Sequence, residues 1–450
     1  MYKITRTFIG LALITVLLSS CQTRQPEEPV ILKVAYPSAK QFYVNFGYAF
    51  ENKYPIIDVQ VIPSDPVSEE TGWNRGADVI YINGMEQYKT AIEKGILKPI
   101  SPPFTNGSES GDLSPIVTSL LEAASDNGQY YALPPTFHSE ALYYNKKLFD
   151  AYHIPYPQNG MTWEEVFALA ERFPTEDDQG ESLYGIQMNY YRNVTMNFIL
   201  KAGQTENLTY LDPKTMKVTM NTDKWKSIWK AAVKAFRAGA VYDQGEEPDS
   251  MEHPKFLTEN AAMTVSSNAF AYDFEPFSHF EGATLIDWGM VTAPVDPLNP
   301  DYMNFYEIFD FFGVSSSTEH AAEAMKLVKF IAGDPVNSQL LAKNQPNYGL
   351  PAVTEYVEPV GDHELSPLYT LKANPNYVDL YTQVDAEILN AFQDAAQVVL
   401  DKHLQNEITL DEALAEVEVK GQEAVDTAFL TLEQKRKTNK VTFNNAGPQS

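Results

Sequence analysis

Residues able to do chemistry are present in this chain, but their spacing does not favour catalysis. The seven histidines are scattered and show no metal-ligand pattern, and the one cysteine, Cys21, can form no pair. No HExxH occurs either, so no zinc site is expected. No G-x-S-x-G turn presents a nucleophilic serine, and no glycine-rich loop is built to cradle phosphate. "EDDQGES" (176–182) sets carboxylates beside a glycine, off the spacing of a calcium loop, and reads as a solvated turn. With 60 Asp and Glu in the chain, carboxylate pairs arise by chance and do not identify a glycosidase. The expectation is no catalytic residue, no metal and no cofactor.

Binding chemistry is better provided for. The 26 tyrosines and 24 phenylalanines suit aromatic-lined surfaces, although most such rings pack in cores. A formal net charge of -27 repels nucleic acid, which excludes DNA and RNA as partners. The N-terminus, "MYKITRTFIGLALITVLLSSC", joins Lys3 and Arg6 to an apolar run from Phe8 to Leu18 and then to small residues. That pattern is a secretory signal, with an apolar run too short to span a bilayer. Loss of residues 1–20 removes two positive charges and no acid, taking the charge from -27 to -29.

Several elements must position any binding residues. At 450 residues the chain exceeds what one core usually serves, so two lobes are expected. "ILKVAYP" (31–37), "IIDVQVIP" (56–63) and "ADVIYI" (77–82) read as strands alternating with helical patterns, which predicts an α/β fold with parallel strands. Thr162 with Glu165, Ser316 with Glu319, and Thr409 with Glu412 have capping-box spacing. Asp334 followed by Pro335 marks another helix start. Trp163, Trp225 and Trp229 read as structural, the last two on one helix face, and roughly the last 75 residues read as mostly helical.

The stretch "GQYYALPPTFHSEALYYNKKLFDAYHIPYPQNGMTWEEV" (128–166) carries G-x-x-Y-x-L-P, then Y-Y-N-K-x-L-F, then T-W-x-E. It resembles the central segment of the family 1 extracellular solute-binding proteins of bacterial ABC importers, of the sugar-type, maltose-binding-like kind. His153 stands where that family often has glycine. "YAFENKYPIIDVQV", "GADVIYINGMEQYKTAIEKGILKPI", "AAMTVSSNAFAYDF", "WGMVTAPVDP" and the run from "FFGVSSSTEH" to "NYGLPAV" follow the family's order over nearly all of the mature chain. "LSSC" resembles the lipobox of bacterial lipoproteins, which implies lipid on Cys21.

The resemblance implies an α/β, two-lobed periplasmic-binding-protein-like fold of type II, with hinge crossovers and a ligand cleft between the lobes. It implies a signal peptide (1–20), a tether (21–30), lobe 1 (31–135 and 262–308), lobe 2 (139–260 and 312–375), C-terminal helices near the hinge (376–437) and a tail (438–450). Ligands of open α/β sheets sit at the carboxyl ends of strands. On that rule and the resemblance, the expected ligand-binding residues are Tyr36, Ser38, Asn83, Met85, Phe137, His138, Tyr190, Tyr191, Arg192, Asn268, Phe270, Tyr272, Asn304, Tyr306 and Glu307. Phe270 and Tyr272 fall where sugar-binding relatives place a stacking tryptophan. Arg192 is read either as a partner for an acidic ligand or as a solvated charge.

The implied function is capture of a small ligand, foremost a carbohydrate, by a monomer held at the outer face of the cell membrane through Cys21. The implied partners are the transmembrane subunits of an ABC permease. The alternatives are an anchored glycan-active enzyme, a binding protein for a peptide, polyamine or phosphorylated solute, and a surface sensor.

Overall fold

A computed structural model describes residues 29–64, 76–100, 112–125, 127–188, 192–243, 254–274, 279 and 285–445. The leader, Cys21 and most of the tether lie outside the described residues, as do Tyr190 and Tyr191.

The strands follow the chain as β1 (Val30–Tyr36), β2 (Ile57–Pro63), β3 (Val79–Asn83), β4 (Ala132–Leu133), β5 (Thr136–Phe137), β6 (Glu140–Asn145), β7 (Tyr184–Gln187), β8 (Ala261–Ser267), β9 (Trp288–Thr292), β10 (Tyr302–Met303), β11 (Asp310–Val314), β12 (Leu350–Pro351) and β13 (Lys372–Ala373). They form two main sheets, β2-β1-β3-β11-β4 and β7-β8-β6-β9. In the first, β1 runs parallel to β2 and β3, with Val34 opposite Val61 and Val79. β11 enters antiparallel between β3 and β4. In the second, β7 and β8 are parallel, and β6 lies antiparallel between β8 and β9.

Each sheet has its own core, as the length predicts. Leu32, Val34, Ile80 and Ile82 bury one against Phe42, Phe46 and Phe312. Leu142, Ile186 and Met263 bury the other against Trp163, Phe198, Trp225 and Trp229. Period-two geometry sends neighbouring β6 side chains to opposite faces. Leu142 therefore enters the second core, while Tyr143 turns the other way onto Phe270, Phe274 and Trp288.

The chain crosses between lobes three times. The first crossing holds β5, the second follows β9 and holds β10, and the third follows β12 and holds β13. β5 pairs with β12 and β10 with β13, so short ladders bind the crossings together. At the hinge His138 and Glu307 exchange both backbone hydrogen bonds, at 2.7 and 3.1 Å.

Three expectations need correction. The segment 262–308 does not belong with the first sheet, because β8 and β9 pair with β6 and bury Ala262 and Met263 in the second core. Conversely the segment 312–375, expected in lobe 2, belongs mostly with lobe 1: β11 completes the first sheet, where Phe311 and Phe312 pack on Tyr88 and Tyr36, and Leu327, Val328, Ile331 and Leu341 of the helices that follow are buried in the first core. The C-terminal helices Ala386–Leu404 and Leu410–Asn445 pack on lobe 2 rather than near the hinge, with the Phe392 ring stacked on Tyr210 at 4.3 Å. Their close approach uses Gly421, where a Cβ would come 2.7 Å from the Phe392 ring.

The capping boxes at Thr162 and Thr409 are formed, and Asp334 caps its helix through Val336 and Asn337. Ser316 caps nothing. Its N–H donates to the Ile96 carbonyl at 2.7 Å, and the helix starts only at Ala321.

Candidate ligand cleft

A cleft of about 840 Å³ opens beside the hinge, near the upper end of ordinary small-molecule sites. The pieces of chain that line it are the end of β3 with the helix start after it, the end of the Pro115–Ala123 helix, the first two crossings, the middle of the Val194–Thr205 helix, Ser267 at the end of β8, and the stretch from β13 onward.

The lobe 1 wall is made by a turn. β3 stops at Asn83, and Gly84 takes φ +80, in the left-handed region that glycine enters without a Cβ penalty. The Gly84 N–H donates to the Phe309 carbonyl at 2.6 Å, tying this wall to the second crossing. Asn83, Met85 and Gln87 then face the cleft, with Glu86 and Lys89 exposed at its rim.

On the lobe 2 wall the Val194–Thr205 helix presents Asn197, Leu200, Lys201 and Gln204. Its start is braced by the Ala386–Leu404 helix: Gln397 accepts from the Met196 N–H and donates to the Thr195 hydroxyl. Lys201 Nζ lies 2.7 Å from Glu140 Oε2, and its ammonium sits 3.2 Å from the centre of the Phe305 ring. The Glu140 oxygen is close to the ammonium but not aligned as a hydrogen bond, so the pair is mainly a Coulombic contact.

The crossings add aromatic faces and acids. Phe309 is 46% exposed, with the His138 ring 4.6 Å behind it. Phe305 meets Tyr377 edge-on at 6.1 Å, and Tyr381 is 54% exposed. Burial lowers the pKa of the His138 ring, against the opposing pull of Asp310. The Glu307 carboxyl is pushed up by desolvation, then by Glu140 and Asp379, and drawn down by Lys201. Its side chain is open to cleft water yet surrounded by protein, so the desolvation is partial. Burial also pushes the Asp379 carboxyl up, although the Tyr381 N–H and Lys201 offset part of it.

Of the residues expected from the sequence, Asn83, Met85, His138, Asn304, Tyr306 and Glu307 line the cleft. Two of these are committed elsewhere. Asn304 donates to the Gln204 carbonyl at 2.6 Å and accepts from Asn374, and the Tyr306 hydroxyl donates to the Leu371 carbonyl at 2.7 Å.

The others among the described residues are placed away from it. Tyr36 packs on Phe42, Tyr81 and Phe312, and Ser38 caps a helix through the Gln41 N–H. Phe137 is fully buried against Tyr306. Asn268 accepts from the Ser139 N–H, Phe270 is buried on Tyr143 and Phe274, and Tyr272 packs on the first core. Arg192 pairs with Asp394 at 2.6 Å on the surface. Asn197, Lys201, Gln204, Phe305, Phe309, Asn374, Tyr377, Asp379 and Tyr381 line the cleft without having been foreseen.

Two sheets, three crossings and a cleft at the hinge define a two-lobed solute-binding protein of the type II periplasmic-binding-protein class. The model of the family described as bacterial extracellular solute-binding protein matches residues 50–370, and the chain belongs to that family. Solved structures of the same fold include a sugar transporter from Rhizobium etli in an open conformation. It shares 18% identity, with TM-score 0.59 over 87% of this chain and 99% of that one. An ABC substrate-binding protein from Listeria monocytogenes in complex with cycloalternan matches at 17% identity and TM-score 0.53, over 89% and 100% of the two chains. A cyclo/maltodextrin-binding protein complexed with maltotetraose matches at 17% identity and TM-score 0.55, over 90% and 99%. No curated protein matches the chain.

Proposed function

We propose that this chain captures a carbohydrate in the hinge cleft, closes on it and releases it unaltered to the transmembrane subunits of an ABC importer. The observation that carries this reading is the cleft itself. Aromatic faces from Phe305, Phe309, Tyr377 and Tyr381 stand beside Asn83, Asn197, Gln204 and Glu307. Ring faces stack on sugar C–H groups while amides and carboxylates bond hydroxyls, the combination that offsets the cost of burying a polar sugar. The sugar ligands named for two structures of the same fold agree with it. Asn83, Met85, His138 and Glu307 are ligand-contacting in this reading, with Lys201, Tyr377 and Tyr381 added. Lipid on Cys21 anchors the mature chain, as a monomer, at the outer face of the cell membrane, two acyl chains being enough to hold it there. None of the described helices is long and apolar enough to cross a membrane.

A thermal-shift screen of the chain lacking residues 1–28, against mono- and oligosaccharides, tests the reading. A ligand bound only by the folded state raises the melting temperature by mass action, and chromatography of the recovered sugar should show it unchanged. Silence across all sugars, or recovery of a cleaved product, would sink it.

A further inference from the structure

The charges inside the cleft are unbalanced. Glu140, Glu307 and Asp379 face a single interior cation, Lys201, while Glu86 and Lys89 at the rim offset each other. Lys201 is already committed, with Glu140 at 2.7 Å and the Phe305 ring covering its ammonium. Among the described residues no lysine or arginine reaches ion-pair distance of Glu307 or Asp379. These two acids arrive on different crossings, Glu307 on the second and Asp379 on the third, and both open onto the same cavity. The Asp379 charge disfavours that of Glu307, whose carboxyl is pushed up first by burial and then by Glu140 and Asp379. Two carboxylates opening onto one partly desolvated cavity form an unfavourable arrangement that a cation in that cavity would relieve. Arg192, the basic residue that could have welcomed an acidic ligand, is 63% exposed and spent on Asp394.

Building on the carbohydrate reading, we infer that the ligand carries a positive charge, an amine-bearing sugar whose ammonium sits between Glu307 and Asp379. Charge-assisted hydrogen bonds to the two carboxylates hold the amine, and Tyr377, which lines the same cavity, adds cation–π attraction. A uronate or phosphorylated sugar would instead place a third negative charge there.

Calorimetric titration of the chain lacking residues 1–28 decides it. The probes are glucosamine trisaccharides, their N-acetylated counterparts and uronic acid trisaccharides, each α- and β-linked. The amine form is expected to bind on the order of tenfold or more tighter than the N-acetyl form, a difference of about 1.4 kcal/mol or more, with the uronate weakest. Asp379→Asn and Glu307→Gln should each shrink the amine-to-acetyl ratio severalfold, and added salt should shrink it too. Equal affinity for amine and acetyl forms, or tighter binding of the uronate, overturns the inference and leaves the carbohydrate reading standing. Failure of every one of these trisaccharides overturns the inference, and the carbohydrate reading falls with it only when the thermal-shift screen of neutral sugars is silent as well. The two single variants guard against a ratio that arises from hydrogen bonding alone: if neither changes it, the assignment to these carboxylates is wrong.

Discussion

The two walls of the cleft are built on different physical principles. On lobe 1 the wall is a strand end and a left-handed glycine, Asn83 and Gly84, so what it offers is neutral side chains and backbone close to the cavity. On lobe 2 it is the middle of a helix, and what it offers is charge: Lys201 against Glu140, 2.7 Å apart. The charged wall is also the braced one. Asp394 and Gln397 of the Ala386–Leu404 helix hold Asn193, Thr195 and Met196 at its start. A turn tolerates movement, whereas a desolvated ion pair needs a fixed frame, so the demanding chemistry rests on the wall that other elements support.

Removing the charge from the braced wall should have the larger effect. Lys201 is only 11% exposed in its side chain, and its loss would leave Glu140 facing Glu307 without compensation. Lys201→Met is therefore expected to cost about 3–5 kcal/mol in denaturant unfolding. Adding Glu140→Gln to the same chain should recover a sizeable part of that loss, because the uncompensated charge is then gone. A double variant no more stable than the single one would show that Lys201 acts through packing, and the contrast between the walls would weaken. On the other wall, Gly84→Ala meets no neighbour within 4 Å, so its cost is conformational only, about 1–2 kcal/mol. A cost as large as that of Lys201→Met would mean that the turn is as rigidly demanded as the ion pair.

The same contrast explains which features are legible in the sequence. Local signals were legible wherever the deciding partner lies a few residues away. Thr162 with Glu165 and Thr409 with Glu412 are capping boxes because each pair is three residues apart. At Ser316 the same spacing misleads, because a partner more than two hundred residues earlier, the Ile96 carbonyl, takes its N–H. Asn83 and Met85 at the lobe 1 wall follow from the rule that ligands meet strand ends. Lys201 does not, since it sits mid-helix among apolar residues, and a lysine in that place reads as a solvated charge until Glu140 and Phe305 are seen beside it. The order of lobes was misread at β8, β9 and β11 for a related reason: strand sequence fixes which faces are apolar, not which sheet a returning strand joins. Tyr377, Asp379 and Tyr381 reach the cleft only because β13 pairs with β10, a two-residue ladder with no pattern of its own.

The smallest expected effect separates the acids of the cleft from its ion pair. The Asp379 and Glu307 carboxyls are both raised, mainly by burial, so just above the ordinary carboxylate range the folded chain binds more protons than the unfolded one. Stability of the ligand-free chain therefore gains from these two groups as pH falls through that window, and loses the gain as pH rises past their folded-state values. Asp379→Asn removes one of them and keeps the turn, since an asparagine oxygen can still accept from the Tyr381 N–H at the same position. The variant should melt slightly higher than the parent at neutral pH, and its rise in melting temperature toward acid should be shallower. A lower melting temperature at neutral pH would mean that Lys201 already compensates Asp379. The strain between the carboxylates would then be absent, and the cleft would hold a balanced set of charges rather than an excess of negative charge.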